Sequence, residues 1–225
     1  MRSTTIAAVA LTTAAFGCDH KPKDQPGNVA PEPVGRDEVR APAASDLADY
    51  LKEIPGDGKL MATIETPLGT LHCELFGDKA PMTVANFVGL ATGRKSWRDP
   101  SGNIQKNKPF FDGLVFHRVI PTFMIQGGDP KGVGVGGPGY SFADEFVDGL
   151  EMSPGTLAMA NSGKATNGSQ FFVMEGSSPG LVGKHTIFGR CLEVEVVTKI
   201  TNTPRNADDK PDTPVTMKIT IKKGQ

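Results

Sequence analysis

The chain has 225 residues, 38% of them hydrophobic, with 24 Lys and Arg against 25 Asp and Glu for a net charge of −1. Glycine (27) and proline (18) make up a fifth of it without a G-X-Y period, which excludes a collagen-like fibre and disfavours a helical bundle, because both residues interrupt helices. The balanced charge offers no field to attract nucleic acid. Three cysteines without C-x-x-C or Cys/His spacing exclude a zinc framework or a disulfide-dense scaffold.

Arg2 and the uncharged apolar run from Ile6 to Phe16 read as an export signal, too short to span a bilayer as a stable helix. Ala15-Phe16-Gly17 ahead of Cys18 resembles a bacterial lipoprotein signal, which implies cleavage after residue 17 and a lipid on Cys18. The alternative is ordinary cleavage, leaving a soluble periplasmic or secreted protein. From Asp19 to Ala44, five prolines among charges leave little to bury, so an extended, disordered tether is expected. Ser45 stands where it could cap a short helix with Leu47, Tyr50, Leu51 and Ile54 on one face, ended by Pro55-Gly56-Asp57-Gly58. The domains expected are a signal at 1–17, an anchor, tether and short helix at 18–58, and a folded body at 59–225.

In the body, Met61–Thr66 and Thr70–Phe76 alternate as two strands about a Pro67-Leu68-Gly69 turn. Leu71, Cys73 and Leu75 share the inner face, so Cys73 reads as a small core hydrophobe, with a disulfide to Cys191 open but not favoured. Pro81 to Thr92 carries helical spacing at Val84, Phe87, Val88 and Ala91, stopped by Gly93. Residues 93–109, with Arg94, Lys95, Arg98, Lys106 and Lys108 against Asp99, read as a solvated basic insertion. Short strands follow at Leu114–Ile120, Phe123–Gln126, Thr156–Ala160, Gln170–Met174 and Thr186–Phe188, then a helix at Glu193–Ile200 and a strand at Val215–Lys222. Short strands with two isolated helices suggest a closed or nearly closed β-barrel, which leaves no open edge.

The glycine run from Gly127 to Gly137 lacks the G-K-[ST] ending of a phosphate loop and no helical pattern follows it, so a tight or flexible turn is expected there. Four histidines never reach metal-ligand spacing, and no nucleophile–base pair stands out. What remains is one guanidinium and several amides among apolar groups, in Phe116-His117-Arg118, Phe123-Met124-Ile125-Gln126-Gly127-Gly128, Met159-Ala160-Asn161, Asn167-Gly168-Ser169-Gln170-Phe171-Phe172 and Gly183-Lys184-His185. An aromatic-walled pocket with few polar fixtures suits an uncharged peptide.

These segments, in this order and with Ala80-Pro81-Met82-Thr83-Val84-Ala85-Asn86-Phe87 before them, resemble the cyclophilin family of peptidyl-prolyl cis-trans isomerases over about Lys59 to Lys223. The resemblance implies a closed eight-stranded antiparallel β-barrel capped by two helices, acting as a monomer without cofactor or metal on proline-containing polypeptides. It makes Arg118 the catalytic residue and puts Phe123, Met124, Gln126, Ala160, Asn161, Gln170, Phe172, Leu181 and His185 in the substrate pocket. Gly180 departs from the pattern, where the family often carries Trp or His, so weak binding of cyclosporin is expected. A non-catalytic peptide-binding module and a plain structural barrel are the rival expectations.

Overall fold

The computed structural model describes Met1 and residues 38–224; the rest of the expected signal segment, Cys18 and the expected tether up to residue 37 lie outside the described residues. The body is built on β1 (Lys59–Thr66), β2 (Gly69–Leu75), β5 (Arg118–Ile120), β6 (Met124–Gly127), β7 (Thr156–Met159), β8 (Phe171–Met174), β9 (Ile187–Cys191) and β10 (Lys218–Gly224). All pair antiparallel in one eight-stranded sheet of order β10-β1-β2-β9-β7-β8-β6-β5. A two-stranded ribbon, β3 (Trp97–Arg98) with β4 (Ile104–Gln105), and the helices α1 (Asp46–Leu51), α2 (Pro81–Thr92) and α3 (Val194–Thr201) complete it.

Successive strand residues point to opposite faces, and here both faces are covered. Ile125, Leu157, Phe171 and Val173 enter the main core with Phe87, Phe111 and Phe188. Their neighbours Met124, Ala158, Phe172 and Met174 form a second apolar cluster on the other side. The main core is an aromatic stack in which Phe87 lies 5.1 Å from Phe111, 5.2 Å from Phe188 and 5.5 Å from Phe171. Helix α2 starts on Pro81, whose missing N–H costs nothing at that position, and ends on Gly93 in the left-handed conformation (φ 73°), its N–H donating to the Leu90 carbonyl. Ala80 has no side chain to cap the helix. The Glu145 carboxylate does so, accepting from the Met82 N–H (3.0 Å), the Thr83 N–H (2.7 Å) and the Thr83 hydroxyl (2.7 Å).

Five expectations change. Ser45 does not cap α1, whose entry is held by the Asp46 carboxylate, accepting from the Ala43 N–H (2.9 Å) and pairing with Arg40 (2.7 Å). The described end of the tether is packed, with Pro42 buried and Leu47, Tyr50 and Ile54 in the main core. The basic segment 93–109 is not solvated throughout. Trp97 is buried edge-on against Phe110 with its Nε1–H donating to the Lys108 carbonyl (3.0 Å), because an indole can enter a core when its N–H is satisfied. Arg94 donates to the Tyr50 carbonyl and pairs with Glu53, both at 2.7 Å, which ties the segment to α1 and the turn after it. Lys95 is only 3% exposed, its ammonium 4.6 Å from the centre of the Tyr140 ring, and burial pushes its pKa down to about 8. Lastly, Cys73 and Cys191 are joined by a disulfide, because the β2–β9 register sets them directly opposite each other at a sequence separation of 118. The last strand also starts later than expected, at Lys218, since Val215 to Met217 instead run beside Leu114 to Phe116.

Candidate active site

Register assembles the site. Arg118 on β5 opposes Gln126 on β6, Gln126 opposes Phe172 on β8, and Phe172 opposes Ala158 on β7. Directly opposed residues lie on the same face at about 4.5–5.5 Å spacing. Four strands therefore lay a guanidinium, an amide, a phenyl ring and a methyl group in one row. Met124 opposes Met174 in the next row, and Phe123 enters from the turn before β6. Thr122 holds that turn at a φ of 63°, its N–H donating to the Glu175 carboxylate (2.6 Å).

Above the row is a cavity of ≈ 260 Å³ lined by Arg118, Phe123, Met124, Gln126, Ala160, Asn161, Phe172, Leu181 and His185. Nine of the ten pocket residues expected from sequence come together there. The tenth, Gln170, stands one strand end away and acts on the others. Its carbonyl oxygen accepts from the Gln126 side chain (3.0 Å) while its own amide donates to the Gly136 carbonyl (2.9 Å). His185 sets its ring edge-on to Phe172 at 5.3 Å, with Nδ1 3.0 Å from the Met159 carbonyl. The Asn161 side chain donates to the Lys184 carbonyl (2.9 Å) and accepts from the Gly163 N–H (3.2 Å), so it pins the loop rather than reaching out. Leu181 stands on a 3-10 turn, Pro179–Leu181, where Gly180 faces open space. The floor is apolar and Arg118 forms its rim. The Arg118 side chain is 46% exposed and its Nε lies 3.8 Å from the Asp209 carboxylate, a contact loose enough to leave the guanidinium free to donate elsewhere.

Two further cavities meet this one at Gln126. One, of ≈ 350 Å³, is polar and lies between the Gly134–Pro138 loop and Asn161, Ser162 and Thr166. The other, of ≈ 480 Å³, lies on the far side of Arg118. Sequence reasoning found neither, because their walls are loops with no periodicity. The glycine-rich loop between them is a tight turn rather than a phosphate cradle. The Asp129 carboxylate accepts from the N–H groups of Lys131, Val133, Gly134 and Val135, so those amides are already spent. Burial works to raise the Asp129 pKa, but these hydrogen bonds outweigh it and hold the group below the usual carboxylate range. At Gly128, φ is +81° and a Cβ would stand 2.3 Å from the Ser169 carbonyl, so only glycine fits beside the Gly168-Ser169-Gln170 segment.

The fold is that of known cyclophilins. The structure of a cyclophilin-type peptidyl-prolyl cis-trans isomerase from Cryptosporidium parvum matches with a TM-score of 0.63 and 34% identity, covering 74% of this chain and 99% of that one. The same protein in the presence of the dipeptide Ala-Pro matches with a TM-score of 0.62. The family model described as cyclophilin type peptidyl-prolyl cis-trans isomerase/CLD matches residues 61–221. Peptidyl-prolyl cis-trans isomerase A of Mycobacterium tuberculosis is 52% identical over 165 residues, which cover 71% of this chain and 91% of that protein. Peptidyl-prolyl cis-trans isomerase B of Streptomyces anulatus is 50% identical over 152 residues, 66% of this chain and 87% of the relative. The chain belongs to the cyclophilin-type peptidyl-prolyl cis-trans isomerase family, and it is an enzyme of that activity.

Proposed function

We propose that this isomerase is exported, anchored to the periplasmic face of a bacterial membrane through a lipid on Cys18, and acts as a monomer on X–Pro bonds of polypeptides folding there. Arg118 is its catalytic residue, and Phe123, Met124, Phe172 and Leu181 seat the proline ring. The observation that carries the assignment is the half-exposed guanidinium at the rim of an apolar cavity. The Ala-Pro dipeptide present with the Cryptosporidium relative supports a proline ligand of that size.

An X–Pro bond rotates over a barrier of about 18–20 kcal/mol, so unassisted turnover takes tens of seconds or more. The barrier is amide resonance, which is lost as the bond twists and the proline nitrogen gains a lone pair. A donor aimed at that nitrogen binds the twisted state better than the planar one, which is what lowers a barrier. A guanidinium presents several N–H donors in a fixed planar fork, which suits it to meet that nitrogen. The apolar floor holds the ring still while the preceding carbonyl swings. Gln126, oriented by Gln170, and the main chain at Ala160 and Asn161 hold the flanking backbone. His185 stiffens the wall beside Phe172. No covalent bond forms and no proton is transferred.

Arg118→Ala is expected to lower kcat/KM by roughly 10²–10³ in a protease-coupled assay on a short proline peptide. Full activity in a folded variant removes Arg118 from the mechanism.

Export is supported by the buried disulfide, since such bonds persist in oxidising compartments and are rare in the cytosol. Mass spectrometry of the mature N-terminus tests the anchor: a diacylglyceryl mass on Cys18 is expected, and an intact residue 1 in a membrane-free fraction overturns it. We also read the sheet as a closed barrel. The Val115–Thr216 bridge supports this, with the Phe116 N–H donating to the Val215 carbonyl (3.0 Å) and the Met217 N–H to that of Leu114 (2.8 Å), beside the two edge strands.

A further inference from the structure

The row that begins at Arg118 does not end at Ala158. The β7–β9 register sets Ala158 opposite Ile187, so the same face continues onto a fifth strand. Ile187 is buried and belongs to the apolar cluster that holds Met124 and Phe172. It also lines another cavity, of ≈ 110 Å³, less than half the ≈ 260 Å³ of the cavity that seats the proline. His185 lines both, so its ring is the partition between them.

The mouth of this smaller cavity is apolar. Phe146 is 50% exposed and Val182 44%, and both line it, together with half-buried Leu150. Exposed apolar side chains gathered beside a cavity mark a contact surface, where the same residues scattered singly would mean nothing. Leu150 and Leu181 pack on the cluster of Met124 and Phe172, so the two cavities share one continuous apolar base. The lip is also tied to the site. Val182 directly follows the turn that carries Leu181, and Asn161 pins the chain two residues later through the Lys184 carbonyl (2.9 Å). The ionisable side chains lining the cavity are His185 and the exposed Asp148. An acidic side chain would meet the Asp148 carboxylate, and the volume suits a few methyl groups, so an aliphatic side chain fits best.

We propose that this cavity is a second subsite of the isomerase, taking an aliphatic side chain of the same polypeptide a few residues from the bound proline. The occupant follows from continuity. Neighbouring strands lie about 4.7–4.9 Å apart, so Ile187, two strands from Phe172, is about 10 Å away, a distance that an extended chain spans in about three residues. The proposal rests on the isomerase site proposed above, because a proline seated on Phe172 is what brings its neighbours across His185.

The test steps a single Leu through the positions on each side of the proline in an otherwise Ala-based X–Pro peptide. Turnover is read by NMR exchange between the cis and trans forms, so that no coupling protease selects among the peptides. In the wild type, Leu at one position is expected to exceed Ala in kcat/KM by about three- to tenfold, as for a partly buried aliphatic side chain. The gain should lie in KM, because the side chain sits away from the rotating bond. With that peptide, nuclear Overhauser contacts from the Leu methyls to the Phe146 ring are expected. Val182→Asp and Phe146→Asn, both at exposed positions, should each bring the Leu-to-Ala ratio at that position towards one and leave the ratios elsewhere unchanged. A wild type without preference at any position, or a preference that survives both substitutions, overturns the subsite while leaving the isomerase standing. Absence of turnover with every peptide overturns the isomerase site, and the subsite with it.

Discussion

The two faces of β6 and β8 are made of alternate residues of the same few segments, and they do opposite work. Phe171 on the inner face touches Phe87, Phe111 and Phe116 and has no exposure, whereas Phe172, one residue on, meets a ring edge of His185 and an open cavity. The inner face is filled by the aromatic core, whereas the outer carries a smaller apolar cluster beside a cavity. Side chains of one chemical type thus enter the main core or line the cavity according to the parity of their position, and a one-residue slip in register would exchange the two.

The largest effect expected is on the inner face. Phe171→Ala should cost about 3–5 kcal/mol in a urea unfolding series, because the aromatic stack cannot close over the cavity. Phe172→Ala should instead raise KM for a proline peptide about two- to tenfold and shift the unfolding midpoint less. Equal midpoints for the two variants would remove the distinction between the faces.

Next in size is the open position at the end of the outer face. A Trp at Gly180 meets no neighbouring atom at its Cβ, and it would add apolar area and an indole donor beside Leu181. Gly180→Trp should tighten cyclosporin binding by roughly tenfold to several hundredfold with little change in peptide turnover. Identical titration curves for the two proteins would count against this place for the indole.

Lys95 sharpens the comparison from inside the body. Its folded pKa of about 8 lies below the ordinary 10.5, so between those values the unfolded chain binds the extra proton. Stability should therefore be level below pH 8 and rise above it, by at most about 1.4 kcal/mol per pH unit. The buried Tyr140 phenol, whose pKa is raised by burial, opposes this as pH approaches 10, which confines the window to about pH 8–9.5. Urea unfolding at pH 7, 8 and 9 should show the rise in the wild type and none in Lys95→Met. The smallest effect is expected on the outer face, where kcat/KM should stay flat from about pH 6 to 8.5 because no proton moves. A bell-shaped profile would falsify the proton-free step.

Much of this was legible in the residues. The alternation at Met61–Thr66 and Thr70–Phe76, the Pro81 start and Gly93 stop of α2, and the helix expected at Glu193–Ile200 each depend on neighbours a few positions away. They appear in the structure with ends shifted by a residue or two. That nine of the expected pocket residues would meet at one cavity was legible only through family motifs; their types alone favour ordinary core with Arg118 on the surface. The burial of Lys95 and Trp97 was not legible, because a segment rich in cations and polar groups has no apolar period to show it, and its cover comes from Tyr140 and Phe110.

By itself the sequence determined which short segments are strands or helices and which residues alternate, since those preferences act within one turn or one pleat. Only the tertiary structure decided which strand lies beside which. From that came the Glu145 cap on a helix that starts 64 residues before it, the Cys73–Cys191 bond and the row from Arg118 to Ala158. The physical reason is that local torsional preference carries no information about a distant partner. The loop entropy of joining distant segments grows only slowly with their separation, so the choice among pairings is made by how well whole faces bury each other.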